Sequence, residues 1–175
     1  FAEPDRLVTI KNQIPKLGPT PFSVPAPDLL TYQRETKSFT DVAGYQENSY
    51  DLTGPGEPRK VPGTRITSNV LSVLGTTPKL GRNFSADEDR VGNEKVVILS
   101  YRMWRSVYAS DPNILGKSIM LDRQPYTSVG VMGKDFVFPI DTQRDASDPW
   151  VPMAFTAEER QSVGADLGEA RRRSG

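Results

Sequence analysis

The sequence predicts an α+β fold, in which a mixed sheet is accompanied by a few short helices. The run Lys95–Leu99 is apolar after its first residue and rich in β-branched residues, as expected of a buried strand. Runs 117–121 and 126–132 alternate apolar and polar side chains, and segment 122–125 between them favours a turn, so together they predict a hairpin. Strands and helices do not alternate regularly along the chain, which argues against a doubly wound parallel sheet.

A helix is predicted between the buried strand and the hairpin. Ser100 can cap its first free amides, and Tyr101, Trp104 and Tyr108 recur on one face. Asp111-Pro112 is expected to end it. The rest of the chain is expected to pack on this unit of strand, helix and hairpin.

The first part of the chain is predicted to be largely extended. Residues 6–11 alternate weakly and indicate a short strand. Residues 15–27 hold five prolines, each of which fixes φ and removes a backbone donor, so they predict an extended connector. A short helix is predicted from about Asp28 to Thr36, and Phe39 after it is expected to enter the core.

Strands and a second helix are predicted over residues 42–75. Period-two patches in Val42–Leu52 indicate one or two strands, and Arg59–Thr67 indicates another, after a turn at 54–58. Pro62 cannot donate to a ladder, which favours an edge strand or a bulge. Ser68-Asn69 is expected to cap a two-turn helix. Its apolar residues are Val70, Val73 and Leu74, and Gly75 is its expected left-handed C-cap.

The remaining segments are predicted from shorter signals. Residues 76–90 are expected to be irregular, 136–139 to form a short apolar strand, 141–148 a polar loop, and 150–153 extended structure. Thr156 with Glu159 has the spacing of a capping box and predicts a weak helix. From Val163 onward the residues are small and charged, which predicts disorder.

Composition excludes several classes of function. Lys+Arg and Asp+Glu both number 22, so the basic excess of a dedicated nucleic-acid binder is missing, and Arg171–Arg173 is interpreted as a solvated tail. The sequence has no Cys and no His, which excludes disulfides, thiol nucleophiles and imidazole bases. It has no apolar run long enough to span a membrane. A start at Phe1 with no signal-peptide pattern indicates a fragment of a longer protein.

Two short motifs resemble ligand-binding loops, but simpler interpretations fit them better. Gly75–Arg82 resembles a phosphate loop, but its glycine spacing is five rather than four and Pro78 removes a cradling amide. A helix stop followed by a turn is the favoured interpretation. Asp87–Asp89 with Gly92 suggests a calcium loop, but Val91 stands where an oxygen ligand is needed, which favours a solvated acidic loop.

Catalytic signals are weak throughout the sequence. A serine nucleophile would need a lysine base, and no Ser-x-x-Lys occurs. Nothing distinguishes any pair of carboxylates, so no catalytic, cofactor-binding or metal-binding residue is assigned. The large aromatic residues are predicted to be core rather than a recognition surface; they are Trp104, Trp150, Tyr101 and Tyr108. Asn83–Ser85 fits a glycosylation sequon, which matters only in a eukaryotic secretory pathway.

The order of short landmarks along the chain resembles the MacB-like periplasmic core domain of FtsX-type and MacB-type ABC transporter permeases. The earlier landmarks are Pro27–Leu30, Phe39, Gly56–Pro58, Val61–Gly63, Asn69–Gly75 and Pro78–Phe84. The strongest are Val96–Ser100, Trp104, Asp111-Pro112, Ile114–Lys117, Leu121-Asp122, Tyr126, Val129–Met132, Phe136 and Trp150–Pro152. Two departures are Arg123-Gln124, where the family often turns on glycine, and Pro62 within a strand.

The resemblance implies a partial core domain over residues 1–155, followed by a weak helix and a flexible polar tail over 156–175. It implies a non-catalytic domain on the periplasmic side of the bacterial inner membrane, inserted between transmembrane helices of a permease. That domain would couple ATP-driven motion to efflux or export of a substrate, or to a periplasmic adaptor. Expected partners are an ABC ATPase subunit or domain and a second permease copy. No cofactor and no nucleic acid are expected.

An alternative function is a stand-alone extracytoplasmic domain that binds a ligand or hydrolyses one. The aromatic content and the proline-rich connector favour it, because together they could frame a groove. Flanking transmembrane segments in the full-length protein would distinguish the two hypotheses.

Overall fold

The computed structural model describes residues 43–138 and 148–156. The predicted strand 6–11, the proline-rich connector, the helix near 28–36 and Phe39 lie outside these residues. So do nearly all of the predicted polar loop, the helix predicted from Thr156 and the tail.

The described residues form a mixed sheet with two short α-helices and one turn of 3-10 helix. The strands are β1 (Tyr45–Thr53), β2 (Arg59–Ile66), β3 (Leu80–Gly81), β4 (Val96–Leu99), β5 (Ser118–Leu121), β6 (Gln124–Val131) and β7 (Trp150–Pro152). The helices are α1 (Val70–Val73), α2 (Tyr101–Tyr108) and the 3-10 turn Ala86–Asp89. The predicted α+β class is confirmed.

The sheet closes on itself. Its strand order is β3-β6-β4-β7-β2-β1-β5, and β5 also pairs with β6. The β4–β6 and β2–β7 pairs are parallel and the other pairs are antiparallel. β6 therefore bonds to β4 along one edge and to β5 and β3 along the other.

Both faces of the sheet are covered, which explains the uninterrupted apolar run of β4. Val97 and Leu99 point into a cluster with Met103 of α2, which we call the α2 core. Ile98, between them, points into a second cluster with Leu71 of α1, the α1 core. Because successive strand residues alternate between faces, a strand covered on both sides has no position for a polar residue.

Helix α2 begins as predicted and ends early. The Ser100 hydroxyl accepts a hydrogen bond from the Met103 amide at 3.0 Å, which confirms the predicted cap. The helix ends at Tyr108 because Ala109 and Ser110 adopt left-handed backbone with φ of 50° and 56°. The expected stop at Asp111-Pro112 was therefore wrong by about three residues.

The predicted hairpin is confirmed, but its turn is shorter than expected. Only Asp122 and Arg123 lie between β5 and β6, with φ of 52° and 63°, as in the two-residue turns that match strand twist. Gln124 and Pro125 belong to β6. The Asp122 amide donates to the Asp51 carbonyl, and the Asp51 amide donates to the Asp122 carboxylate at 2.8 Å, so β1 holds the turn in place.

Pro62 lies inside β2 with no bulge, at a point where, among the described residues, no strand pairs with the edge of β2 that faces away from β1. It faces Ser49 in a continuous β1–β2 register, and β7 pairs with β2 only from Thr64 onward. Thr64 donates its amide to Pro149, away from β1. Since Pro62 is two residues earlier on the same edge, its missing amide also points away from β1 and costs no β1–β2 bond.

Three further predictions are corrected. Helix α1 has one turn rather than two, and Asn69 does not cap it, since its side-chain oxygen accepts from the Thr67 hydroxyl at 2.8 Å. Residues 76–90, predicted to be irregular, contain β3 and the 3-10 turn. Residues 136–138 form no strand, and the rings of Phe136 and Phe138 pack edge-on against aromatic neighbours. Gly75 has φ of 66° after α1, as predicted, and β7 confirms the extended structure at 150–153.

Replacing Gly81 with alanine is predicted to destabilise the domain strongly. Gly81 has φ of 76°, and an added Cβ would lie 2.0 Å from the Val129 carbonyl oxygen. We expect the free energy of unfolding in urea to fall by about 3 kcal/mol, from backbone strain and overpacking. Gly133 is the matched control, because a Cβ there meets nothing within 4 Å. Equal stability of G81A and G133A would contradict the close β3–β6 contact.

Candidate functional site

A surface cavity of about 420 Å³ lies where α1, β3 and the segment after β6 meet. We call it the Lys79–Lys134 cavity. Its lining residues are Gly75, Thr76, Thr77, Lys79, Gly133, Lys134, Asp135, Phe136 and Val137.

Local backbone bonds shape the two walls of this cavity. The Lys79 amide donates to the Val131 carbonyl at 2.8 Å, which turns the chain from α1 into β3. On the opposite wall, the Phe136 amide donates to the Gly133 carbonyl at 3.1 Å. Hydroxyls, two ammonium groups and one carboxylate line the space, so it can hold a small polar solute or a side chain.

An aromatic cluster packs beneath the cavity. The Phe136 ring lies edge-on to Trp150, with centroids 5.6 Å apart, and edge-on to Phe138 at 6.4 Å. Phe138 in turn contacts Tyr45. Burial, and then the nearby Glu47 carboxylate, raise the pKa of Tyr45. Val137 projects from this cluster with 73% of its surface exposed.

The predicted aromatic residues belong mainly to the core. Trp150 is 4% exposed in the α1 core, and Trp104 and Tyr108 pack against the α2 core. The Trp104 indole donates to the Asp111 carbonyl at 2.8 Å, and Tyr101 contacts the Trp104 ring edge-on. A core role is confirmed for Trp150, Trp104 and Tyr108, whereas Tyr101 is half-buried and belongs to neither core cluster.

The predicted solvated acidic loop is wrong for two of its three residues. Glu88 is 8% exposed and receives two hydrogen bonds from the Arg82 guanidinium, at 2.7 and 3.1 Å. It also accepts from the Ser85 amide at 2.8 Å. Asp89 accepts from the Ser68 amide at 3.0 Å, while Asp87 is exposed. The Ser85-x-x-Glu88 spacing of a capping box is the sequence signal that could have revealed this.

The Arg82–Glu88 pair changes the titration of Glu88. Burial alone would raise the pKa of this carboxyl, but the hydrogen bonds from Arg82 and Ser85 outweigh burial and hold its pKa below the ordinary value. A depressed pKa in the folded state means that the pair stabilises the domain above the ordinary carboxyl pKa. That stability is lost as the pH falls through the lowered pKa.

A second ion pair, between Arg102 and Asp148, holds the chain where it enters β7. Asp148 is 5% exposed and accepts from Arg102 of α2 at 2.6 and 3.0 Å. Its amide donates to the Pro62 carbonyl. Burial raises the pKa of Asp148 more than Arg102 lowers it, and its second carboxylate oxygen is buried without a hydrogen-bond partner among the described residues. The pair positions β7, but the buried carboxylate is held at an energetic cost.

The Gly75–Arg82 motif contributes one wall of the Lys79–Lys134 cavity, whereas Asp87–Asp89 forms no three-ligand metal cluster within the described residues. Gly75–Arg82 is a helix stop and a turn, as the simpler interpretation predicted, and then continues into β3. Across residues 43–138 and 148–156, no three acidic side chains converge as a metal site would require. Within the same ranges, no helix is long and apolar enough to cross a membrane.

The model of the MacB-like periplasmic core domain matches residues 1–171. The chain belongs to this family. MacB-like core domains are periplasmic domains of ABC transporter permeases, so this chain is an extracytoplasmic domain of such a permease. No match was found among curated proteins.

Solved structures of related domains share the fold of this MacB-like domain. The periplasmic region of MacB from Actinobacillus actinomycetemcomitans is 18% identical with a TM-score of 0.56, over 73% of this chain and 54% of that one. The extracellular domain of the noncanonic ABC-type transporter YknZ from Gram-positive bacteria is 16% identical with a TM-score of 0.56, over 78% and 76%. A domain of a putative permease from Porphyromonas gingivalis is 15% identical with a TM-score of 0.53, over 82% and 61%. The MacB-like domain thus spans about half of the MacB periplasmic region.

Replacing Glu88 with glutamine is predicted to destabilise the MacB-like domain in a pH-dependent way. We expect a loss of about 2 kcal/mol in urea unfolding at pH 7, because a charge-assisted bidentate contact is lost. The difference should shrink as the pH falls below the ordinary carboxyl range. Asp87→Asn is the matched control, since Asp87 lies two-thirds exposed beside Arg90 and such pairs contribute little. A deficit for E88Q that is constant with pH would contradict the assigned charge pair.

The Asp148 pair is predicted to respond unequally to removal of its two members. Arg102→Met leaves a buried carboxylate without its cation, and we expect it to lower the free energy of unfolding at pH 7 by about 2 kcal/mol. Asp148→Asn removes a charge whose burial is costly, so its effect should be less than half as large. Because the folded-state pKa of Asp148 is raised, R102M should also regain stability toward acidic pH. Equal losses for the two variants, measured by urea unfolding, would contradict this account.

Proposed function

We propose that this domain is a non-catalytic relay of its ABC permease. It would transmit ATP-driven motion from the membrane to an exported substrate or to a periplasmic adaptor. The observation that carries the proposal is the family match over residues 1–171, which places the domain in a transporter permease. The absence of His and Cys from the sequence further supports a mechanical role over a catalytic one.

The architecture suits a body that moves as one unit. The sheet closes through the β5–β6 pairing, and both faces of β4 are buried in apolar cores. Ion pairs at Arg82–Glu88 and Arg102–Asp148 fix segments that flank the sheet. A tightly packed body of this kind transmits a displacement with little internal deformation.

The relay role implies partners beyond this chain. ATP hydrolysis would occur in a separate ATPase subunit or domain, and two permease copies would work together, each held in the membrane by segments that flank this domain. In this arrangement the extracytoplasmic domains of the two copies shift relative to each other when ATP binds. ATP can shift the permease toward one arrangement only if the ATPase binds ATP more tightly in that arrangement. The nucleotide state of the ATPase would therefore set the direction of the motion.

The Lys79–Lys134 cavity favours the alternative of extracytoplasmic ligand binding. Its volume of about 420 Å³ is within the usual range of small-molecule sites. It is open and its lining is evenly mixed between polar and apolar surface, whereas most such sites are concave and predominantly apolar. The relay function therefore has the stronger support.

Rigid-body motion driven by ATP is the predicted behaviour. Since the chain has no cysteine, spin labels can be placed at Glu57→Cys and Lys134→Cys, both on exposed residues, in an otherwise cysteine-free permease with its ATPase in nanodiscs. Double electron–electron resonance should show the same Glu57–Lys134 distance with and without ATP. With one label at Glu57 in each of the two permease copies, the distance between the two labels should change when ATP is added.

The matched control is an ATPase variant that binds but does not hydrolyse ATP. It should hold the distance between copies in the ATP-bound arrangement. An unchanged distance between copies would contradict the relay function and favour the binding alternative. Tight ATP binding to the 175-residue chain alone, measured by calorimetry, would also contradict it.

A further inference from the structure

The outer edge of β1 carries backbone groups that face away from the rest of the sheet. Gly44 exchanges hydrogen bonds with Thr67 and so faces β2, whereas Asp51 exchanges them with Asp122 and so faces β5. Backbone donors alternate between the two edges of a strand, and β1 pairs with β2 without a register shift. The amides and carbonyls of Tyr45, Glu47 and Ser49 therefore point to the outer edge.

This edge has no strand beside it in the described part of the chain. β5 pairs with β1 only at Leu52 and Thr53. Gln46–Ser49 are all exposed, so a second polypeptide could reach their backbone. The three residues with outward donors and acceptors, Tyr45, Glu47 and Ser49, span about 13 Å of strand.

The edge carries few of the features that protect exposed strands. Such strands usually contain proline, lysine or a bulge, and β1 has none of them. An unprotected edge can bind an extended segment as an additional strand, with main-chain hydrogen bonds supplying affinity.

The charge on this edge selects the kind of strand that fits. No ion pair involves Glu47 among the described residues, and it lies on the same face as Asp51. In any antiparallel pairing of two copies of β1, Glu47 would stand opposite or diagonal to Glu47 or Asp51 of the second copy. Like charges across a strand pair destabilise it, whereas a lysine or arginine would be favourable.

We propose that the β1 edge is a docking site for an extended segment of a separate polypeptide with a lysine or arginine opposite Glu47. This segment adds antiparallel to β1 and bonds to Tyr45, Glu47 and Ser49. The inference rests on the proposed function only in assigning the segment to a periplasmic protein. Its test does not involve ATP, so the two proposals can fail separately.

The test uses NMR to measure amide hydrogen exchange in the 175-residue chain as it is titrated with the peptide acetyl-Thr-Val-Thr-Lys-Thr-Val-Thr-amide. The amides of Tyr45, Glu47 and Ser49 should become protected. Those of Gln46 and Asn48 should not change, since they already face β2. A matched peptide with glutamate in place of lysine should bind about fivefold more weakly, because it places like charges in opposition.

Two variants separate the backbone contribution from the charge. Glu47→Pro removes the outward amide and no β1–β2 bond, so it should keep the unfolding midpoint in urea and weaken binding of the lysine peptide about tenfold. Glu47→Gln keeps the amide and should bind both peptides about equally. If E47P fails to fold, the E47Q result and the alternating protection pattern still decide the question.

Three results would overturn the proposal. The first is no alternating protection at millimolar lysine peptide. The second is protection of the Tyr45, Glu47 and Ser49 amides before any peptide is added, if that protection disappears when residues 1–42 are removed. This result would show that the chain covers its own β1 edge. The third is protection that rises with chain concentration, which would make a second copy the occupant.

Discussion

Hydrogen bonding along both edges of β6 is the constraint on which the rest of this structure depends. β4 runs parallel to one edge, while β5 and then β3 occupy the other. Because β5 also bonds to β1, β6 closes the sheet. The residues at the end of β3 approach β6 closely at Gly130, where an added Cβ would lie 2.9 Å from the Arg82 carbonyl oxygen. Glycine at this point lets β3 and β6 meet.

Closure of the sheet determines where charge can be placed. With both faces of β4 covered, ionic groups are found at the margins, where Arg82 and Arg102 are half-exposed and their acidic partners are buried. The two ion pairs differ in how the folded state treats the charged carboxylate. Hydrogen bonds lower the pKa of Glu88, whereas burial raises the pKa of Asp148. The first pair stabilises a turn and the second mainly positions β7. A closed body with fixed margins is what a relay between the membrane and the periplasm requires.

Much of the fold could be predicted from local signals in the sequence. The apolar run of β4, the Ser100 cap and the hairpin were found because each depends on neighbouring residues. The early end of α2 and the two-residue turn at Asp122-Arg123 were missed, since both depend on non-glycine residues in left-handed backbone, which residue type alone does not indicate. Phe136 was misassigned because its contact with Trp150 lies beyond any local pattern. Glu88 was misassigned although its capping spacing was visible. The cavity joins segments over 50 residues apart, and only its first wall had a sequence signal, in the phosphate-loop likeness of Gly75–Arg82.

Native-state hydrogen exchange of the 175-residue chain in increasing denaturant tests most directly whether the closed sheet is one cooperative body. The indicator amides are Thr127, Ser128 and Met132, which bond to Lys95, Lys117 and Leu99 and so report on both edges of β6. We predict that they exchange with the same free energy and denaturant dependence as β1–β2 amides, converging on global unfolding. If Ser128 and the hairpin opened at a lower free energy than β1 and β2, the sheet would not be closed as a unit, and the rigid-relay account would be contradicted.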